Sequence, residues 1–486
     1  MRSLLGVLNI FGSLLTWFAV YFLLPILTCL IYGEIGSVRG FLVGAAVCIV
    51  GGAALRLLTR RYRYDLKPRD AYLLVTVGWL TIALVAAIPL LVDLPRIGFT
   101  RAYFESMSGL STTGATQLSG IDTLPHSINI WRHALSWLGG MGIIVLAVAI
   151  LPLLGVGGMQ LYRAGAPGTV KDAKLAPRIT ETARTLGAVY AILTAACAVC
   201  LWAAGMPLFD AICHAFSTLA LGGFSTHDAN IAYFHSPMIE LVLIIFMLIA
   251  AMNFATHFVA LRKGDLKPYG RDPEARWMLL LILGSCIVIG AFIDLKGVYP
   301  NFFVSMRYAA FNVVSMATDS GFVSTDYGRW PIFAPLWMLF LSCLCASTGS
   351  TGGGIKMFRS LILLKQSLRE MFTLVHPQAV MPLKIAGHAV PNGVVYSVLA
   401  FIFLYFMTIA ALTFALLISG LDFMTALSAI IACINNAGPG LNLVGPSTNY
   451  GVLDGFQSWV CIAGMFLGRV EIITFAVLLT PTFWRK

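Results

Sequence analysis

Charge is what this chain lacks. Only 11% of its 486 residues are Asp, Glu, Lys or Arg, whereas soluble domains carry about 25%. A water-facing surface cannot be covered with so few, which excludes a soluble globular protein. Instead 59% of the residues are hydrophobic and mean hydropathy is +0.86, as in a polytopic membrane protein. No cleavable-looking signal peptide is expected, because the apolar stretch 4–31 is far longer than the apolar core of a leader. It reads as a first membrane helix interrupted by Pro25. Paired metal-ligand spacing is also missing. His133, His214, His257 and Asp210 are scattered, without a His-Glu-x-x-His arrangement, which argues against a membrane-embedded enzyme. The ten cysteines all fall in or beside apolar segments. Cys197-Ala-Val-Cys200 has redox-motif spacing, but inside a membrane helix the reading is small packing residues. No disulfide framework and no resident metal site are expected.

What charge there is falls in clusters. Basic residues group at 56–69, 163–184, 262–276 and 356–384. With Arg2, Arg485 and Lys486 these hold 24 of the 32 Lys and Arg. Lys and Arg mark cytoplasmic loops, so all four clusters are expected on the cytoplasmic side. The opposite loops hold seven, at Arg39, Arg96, Arg101, Arg132, Lys296, Arg307 and Arg329, and Arg469 alone falls within a span. The net charge of +11 is therefore an orientation signal and not a nucleic-acid surface.

Between the clusters runs a degenerate repeat. The stretch 104–116 ends in Thr112-Thr113-Gly114-Ala115. Related Gly-centred polar stretches follow at 209–226, 303–325 and 423–441. Aligned on Gly114, Gly223, Gly321 and Gly438, they lie 109, 98 and 117 residues apart. Each is flanked by apolar segments long enough to span, since about 20 residues cross the hydrocarbon core. The short helices expected inside the stretches, such as 103–110, 210–220, 304–316 and 423–434, are too short to cross, so they dip in and return. Non-helical backbone at membrane depth is tolerated only where it is buried in protein or lines a water-filled path. Glycine lets a backbone present its carbonyls unusually, and carbonyl rings can replace a cation's hydration shell. All four repeats have the same topology, which favours a pseudo-fourfold ring over inverted halves.

The expected architecture is an all-α polytopic membrane protein: an N-terminal pair of transmembrane helices (1–65), then four non-identical helix–pore-loop–helix repeats around a central pore. The repeats occupy 66–175, 176–270, 271–385 and 386–486. This gives ten spans and four re-entrant loops, with both termini cytoplasmic. Two features break the pattern. In the third return span the apolar run 333–345 is followed by Ala346-Ser-Thr-Gly-Ser-Thr-Gly-Gly-Gly354, leaving about thirteen helical residues, too few to cross. That stretch is either irregular backbone directly under the ring or a Gly-rich helix-packing segment. It is no phosphate loop, lacking the Gly-Lys-Ser/Thr ending and a preceding strand. The second feature is Arg469. An ionisable residue in a span is costly and faces a cavity or partner, unless it snorkels to the interface. Glu471, two residues on, points to another face and does not neutralise it directly.

These residues resemble a known family, the TrkH/TrkG-type potassium-uptake subunits of the Trk/Ktr/HKT superfamily. The matching stretches are Ser111-Thr-Thr-Gly-Ala-Thr116, Trp137-Leu-Gly-Gly-Met-Gly-Ile-Ile-Val145, Leu221-Gly-Gly-Phe-Ser-Thr226, Ser350-Thr-Gly-Gly-Gly-Ile-Lys356, Asn435-Asn-Ala-Gly-Pro-Gly440 and Gly468-Arg-Val-Glu471. They span almost the whole chain in family order, and the extra N-terminal pair resembles the TrkH branch rather than the shorter KtrB branch. The resemblance implies a potassium-selective, channel-like translocation subunit of the bacterial inner membrane. Its filter would be Thr112, Thr113 and Gly114; Ala220, Leu221, Gly222 and Gly223; Thr318, Asp319, Ser320 and Gly321; and Asn435, Asn436, Ala437 and Gly438. Potassium is then substrate at the filter, with no organic cofactor. Some relatives carry serine for the first glycine and pass sodium, and this chain keeps glycine four times. The resemblance makes Ser347, Thr348, Gly349, Ser350, Thr351, Gly352, Gly353 and Gly354 an intramembrane gating loop, and Arg469 a pore-facing charge below the filter. It also implies a homodimer in contact with membrane lipid that docks a cytosolic TrkA-type NAD- or ATP-binding subunit, with no nucleic acid. The loops 163–184 and 262–276 are docking surfaces or orientation signals contacting anionic lipid. Asp319 departs from a neutral ring and either attracts cations at the mouth or caps a turn. The alternative mechanism is proton- or sodium-coupled symport. It needs a titratable group in the pathway, and the candidates are few: Asp319, Glu471 and Glu105.

Overall fold

The computed structural model describes residues 2–62, 68–146, 175–379 and 381–484, and they are overwhelmingly helical. The only strands among them form a two-residue antiparallel hairpin, Lys384–Ile385 against His388–Ala389. Among the described residues six helices are long and apolar enough to cross a membrane, and two bent helix pairs raise that to as many as eight. Their outward faces carry large apolar side chains such as Trp202, Leu280, Phe403 and Phe414, which in water would be an aggregation liability and in lipid are solvated.

The N-terminal helix breaks at Phe22, between Arg2–Tyr21 and Leu23–Tyr32. The cause is Pro25, whose ring cannot coexist with a helical bond to the carbonyl four residues back. Val38–Thr59 returns beside it. The two helices touch backbone to backbone, and a Cβ on Gly52 would lie 2.7 Å from the Gly12 carbonyl oxygen. Such close crossings are the use of glycine in membrane helices. This pair is fastened to the rest by Trp131, buried among Phe18, Phe22 and Phe41 with its indole N–H on the Ala86 carbonyl at 3.0 Å.

Four helix–short helix–helix units follow. Their short helices are Phe99–Leu110, Leu208–Ala220, Phe302–Ala317 and Phe423–Asn435, each containing the dipping segment expected from sequence. The N-terminal ends are set by local signals where the sequence provides them. Asn301 and Asp422 cap the third and fourth, accepting from Val304 and Thr425 N–H at 3.0 Å.

Two of the returning helices, the second and the fourth, depart from expectation. The second, expected to run unbroken over 237–261, bends by 100° between Pro237–Ala251 and Phe254–Lys263. The fourth bends by 103° between Gly455–Arg469 and Ile472–Leu479. Asn253 stops the second: its side chain accepts from Ala255 N–H at 2.9 Å and starts a new helix. In the fourth, Glu471 takes a left-handed φ of 60°, which no helix interior tolerates. The third return, Phe333–Leu344, gives way to the 346–354 loop before Met357–Val375. The first runs from His126 to Val145, and its expected continuation to 154 lies outside the described residues. So does most of the 163–184 basic cluster.

Candidate ion pathway

Each short helix ends the same way. The N–H of Thr113, Gly222, Ser320 and Ala437 donates to the carbonyl five residues back, at 2.8 Å in all four. The residue before each (Thr112, Leu221, Asp319 and Asn436) bonds three residues back and has φ between 53° and 64°. This is the six-to-one closure of a helix C-terminus, made four times without help from a shared sequence. Two residues later φ is positive again, at Gly114, Gly223, Gly321 and Gly438.

Those four glycines close a ring. A Cβ on Gly114 would meet the Gly222 carbonyl oxygen at 2.0 Å, one on Gly223 the Ser320 oxygen at 2.2 Å, and one on Gly321 the Ala437 oxygen at 2.2 Å. One on Gly438 would meet the Thr113 oxygen at 2.6 Å, returning to the start. Unit 1 thus abuts unit 2, 2 abuts 3, 3 abuts 4 and 4 abuts 1. The side chains on these strands are turned into the protein and fix the loops. Asn436 donates to Thr113 Oγ1 at 3.0 Å and to the Met465 carbonyl at 3.1 Å, tying loop 4 to loop 1. Asn435 donates to Ser342 Oγ at 2.8 Å and accepts from the Tyr405 hydroxyl at 2.5 Å. Its side chain faces the third return helix, away from the ring. Ala220 packs its Cα against Gly140.

A cavity on one side of the ring is lined by all four glycines, with Arg132, His227 and Asp228 among its other walls. Behind it Arg132 is buried. Its Nε donates to Glu105 at 2.7 Å and its guanidinium lies 4.2 Å from the Phe224 ring centre, so Glu105 is a structural partner and not a free group. His227, in the connection outside the spans, is held above its ordinary value. Burial pulls it down, but hydrogen bonds to Asp210 at 3.3 Å and Asp122 at 2.5 Å outweigh that.

On the other side lies a second cavity, lined by the 346–354 loop, Asn436, Lys356, Arg359, Arg469 and Glu471. The loop is pinned along its length. Ser347 N–H donates to the Ala251 carbonyl at 3.0 Å, and Thr348 N–H to buried Glu274 at 2.7 Å. The Gly349 carbonyl accepts from Phe254 N–H at 3.1 Å, and Ser350 Oγ bonds Ser347 within the turn. Thr351 Oγ1 donates to the Leu219 carbonyl at 2.9 Å, and Gly353 N–H to Asp319 Oδ2 at 3.0 Å. Gly352, Gly353 and Gly354 press on the carbonyls of Thr318, Asn435 and Ser342, where a Cβ would lie 3.1, 1.9 and 2.7 Å away. Only glycine fits so close to a backbone.

Arg469 is 1% exposed, which excludes snorkelling. One guanidinium nitrogen donates to the Thr351 carbonyl at 2.9 Å and another to the Gly139 carbonyl at 2.8 Å, so it bridges the loop to the first return helix. Glu471 pairs instead with Arg359 at 2.7 Å. The Asp319 carboxylate accepts from Gly353 N–H and so faces the 346–354 loop, and it does not line the cavity that the four glycines share. Two residues counted from sequence as loop charges, Lys356 and Arg359, are 8% and 5% exposed. Lys356 reaches back to the Gly352 carbonyl, and Arg359 is consumed by Glu471. Sequence reading also missed Glu274, Asn253 and Gly139. An acid at the start of an apolar helix and an asparagine inside an apolar run were the available signals.

A closed ring of glycine-centred loops at the C-terminal ends of four short helices in an apolar, membrane-suited chain defines a class, membrane proteins suited to cations, since helix C-termini carry partial negative charge. The sequence pattern of the TrkH family, described as cation transport proteins, matches residues 38–486. The chain is 44% identical over 482 residues to a Trk system potassium uptake protein TrkH of Salmonella typhimurium, covering 99% of each. It is 39% identical over 478 residues to a Trk system potassium uptake protein TrkG of Escherichia coli, covering 98% of this chain and 97% of the relative. The crystal structure of the potassium transporter TrkH from Vibrio parahaemolyticus superposes with a TM-score of 0.91 at 41% identity, over 100% of this chain and 99% of that one. The chain belongs to the TrkH family, whose members are transporters and not enzymes.

Proposed function

We propose that this chain is the membrane subunit of a Trk-type potassium uptake system, conducting potassium selectively through the four-glycine ring. The observation that carries this is the closed circuit of carbonyls from Thr113, Gly222, Ser320 and Ala437 against the glycines of the neighbouring loops. Alternating left-handed positions turn successive carbonyls toward one axis, where they replace the ion's water. Thr112, Leu221, Gly222, Thr318, Asp319, Asn435, Asn436 and their neighbours on the same four strands supply the stacked ligands. Side chains buried behind them hold the spacing.

The 346–354 loop and Arg469 are the gate. The loop lies against the inner carbonyls, and the guanidinium adds a fixed positive charge that a cation must pass. The protein sits in the bacterial inner membrane with both termini cytoplasmic, works as a homodimer and is regulated by a cytosolic TrkA-type nucleotide-binding partner. The exposed basic residues Arg262, Lys263, Lys267 and Arg271 precede Asp272 and Glu274 in the chain, and Glu274 holds Thr348. Movement of that segment thereby reaches the gate. The test is the reversal potential of proteoliposomes under a potassium gradient with sodium opposite, at several pH values. Reversal at the potassium potential, unmoved by pH, is expected. Reversal that tracks the proton or sodium gradient overturns channel-like conduction in favour of coupled symport.

A further inference from the structure

Asp319 is an anomaly inside the ring strands. It is fully buried, its φ is 64°, and its carboxylate leaves its own loop to accept from Gly353 N–H at 3.0 Å. The second oxygen, Oδ1, is buried with no hydrogen-bond partner among the described residues. Such an atom costs free energy and needs a compensating reason. Lys356 and Arg469 are both bonded to the 346–354 loop as well, Lys356 at Gly352 and Arg469 at Thr351.

One acidic side chain of the third ring strand therefore sits among the three attachments of the loop's inner half. Its own backbone is committed to the ring. The N–H of Asp319 bonds Met316, and the next residue, Ser320, presents its carbonyl to Gly223. A displacement of the loop pulls on the ring segment 318–321 through this carboxyl group, which among the described residues is the one side chain of that segment hydrogen-bonded to the loop. The neighbouring contact, Gly352 against the Thr318 carbonyl, is packing only and resists approach, not separation.

We propose that Asp319 is a positioning residue that latches the closed loop to the ring. Its side chain holds Gly353 while the loop is shut and releases when the loop withdraws. This rests on the reading of the loop as gate.

The test uses the full-length protein in proteoliposomes, with rubidium tracer uptake read without any partner. Asp319→Gly removes the side chain and keeps the positive φ; Asp319→Asn keeps an acceptor and the left-handed backbone but replaces the carboxyl with an amide, a weaker acceptor. Loss of one hydrogen bond shifts the closed-to-open ratio by about two- to tenfold, so resting uptake rises by that factor in Asp319→Gly and by less in Asp319→Asn. Amide exchange across 346–354 is faster in both. Uptake at or below the unsubstituted level in folded Asp319→Gly overturns the latch. So does unchanged exchange in Asp319→Asn, which decides the matter should the glycine variant not fold. Absence of selective rubidium uptake in the unsubstituted protein overturns the functional reading itself, and the latch with it.

Discussion

Gly114→Ser places the sharpest demand on the ring. The substitution adds a Cβ that would lie 2.0 Å from the Gly222 carbonyl oxygen, where real Cβ contacts essentially never fall below 3.0 Å. That oxygen must retreat by about 1 Å to restore contact distance. The backbone adds to the strain, because φ is +75° and a residue bearing Cβ pays about 1–2 kcal/mol in the left-handed region. The cheapest relief is to swing the Gly222 carbonyl off the axis, which removes one ligand from the ring. If an ion–carbonyl contact is no weaker than a hydrogen bond to a charged group, about 1.5–3 kcal/mol, the potassium-to-sodium permeability ratio falls about ten- to hundredfold. Bi-ionic reversal potentials of the purified variant measure that ratio, with melting temperature as a check on folding. A folded Gly114→Ser protein with the original ratio refutes the reasoning, since the ring cannot hold both the serine Cβ and the Gly222 carbonyl where they are.

Other outcomes follow from the same geometry. Arg469→Ala removes two hydrogen bonds from the loop and the first return helix, and tracer uptake is expected to rise about tenfold or more; unchanged uptake places the barrier elsewhere. Deleting part of Gly349–Gly354 is expected to raise uptake as well, and loss of uptake in a folded deletion would make the segment a packing element. In the cavity that the four glycines share, His227 is raised above 6.5 by Asp210 and Asp122 despite its burial. Its contribution is therefore full below pH 6.5 and lost as pH rises through the raised value. Hydrogen exchange in 224–235 is expected to quicken relative to its intrinsic rate across that window, and His227→Asn should abolish the step.

Much of this organisation was written in the chain's local chemistry. The four short helices were legible because each is a brief apolar run that ends in a polar, glycine-centred stretch, too short to cross. Gly114, Gly223, Gly321 and Gly438 could be aligned by eye, and the structure makes them neighbours. The broken return helices were not legible. Met252-Asn253 and Val470-Glu471 interrupt runs whose length and hydropathy suit an unbroken span, and only tertiary contact decides that the helix turns there. The partners of Arg469 were likewise hidden. Thr351 and Gly139 are 118 and 330 residues away in sequence, and both offer backbone carbonyls, which leave no mark on composition. Lys356 and Arg359 misled for a related reason: a basic residue after an apolar run reads as a loop charge until a buried acid such as Glu471 is found beside it.

The central claim is that cations bind on the axis between the carbonyls of Thr113, Gly222, Ser320 and Ala437. Crystals of the protein grown with rubidium in place of potassium, with data collected at the rubidium absorption edge, test it directly. Anomalous peaks on that axis, within coordinating distance of the four carbonyls and absent when sodium replaces rubidium, are the expected result. Peaks confined to the Arg132–His227 side or to the 346–354 cavity, with none inside the ring, would contradict it.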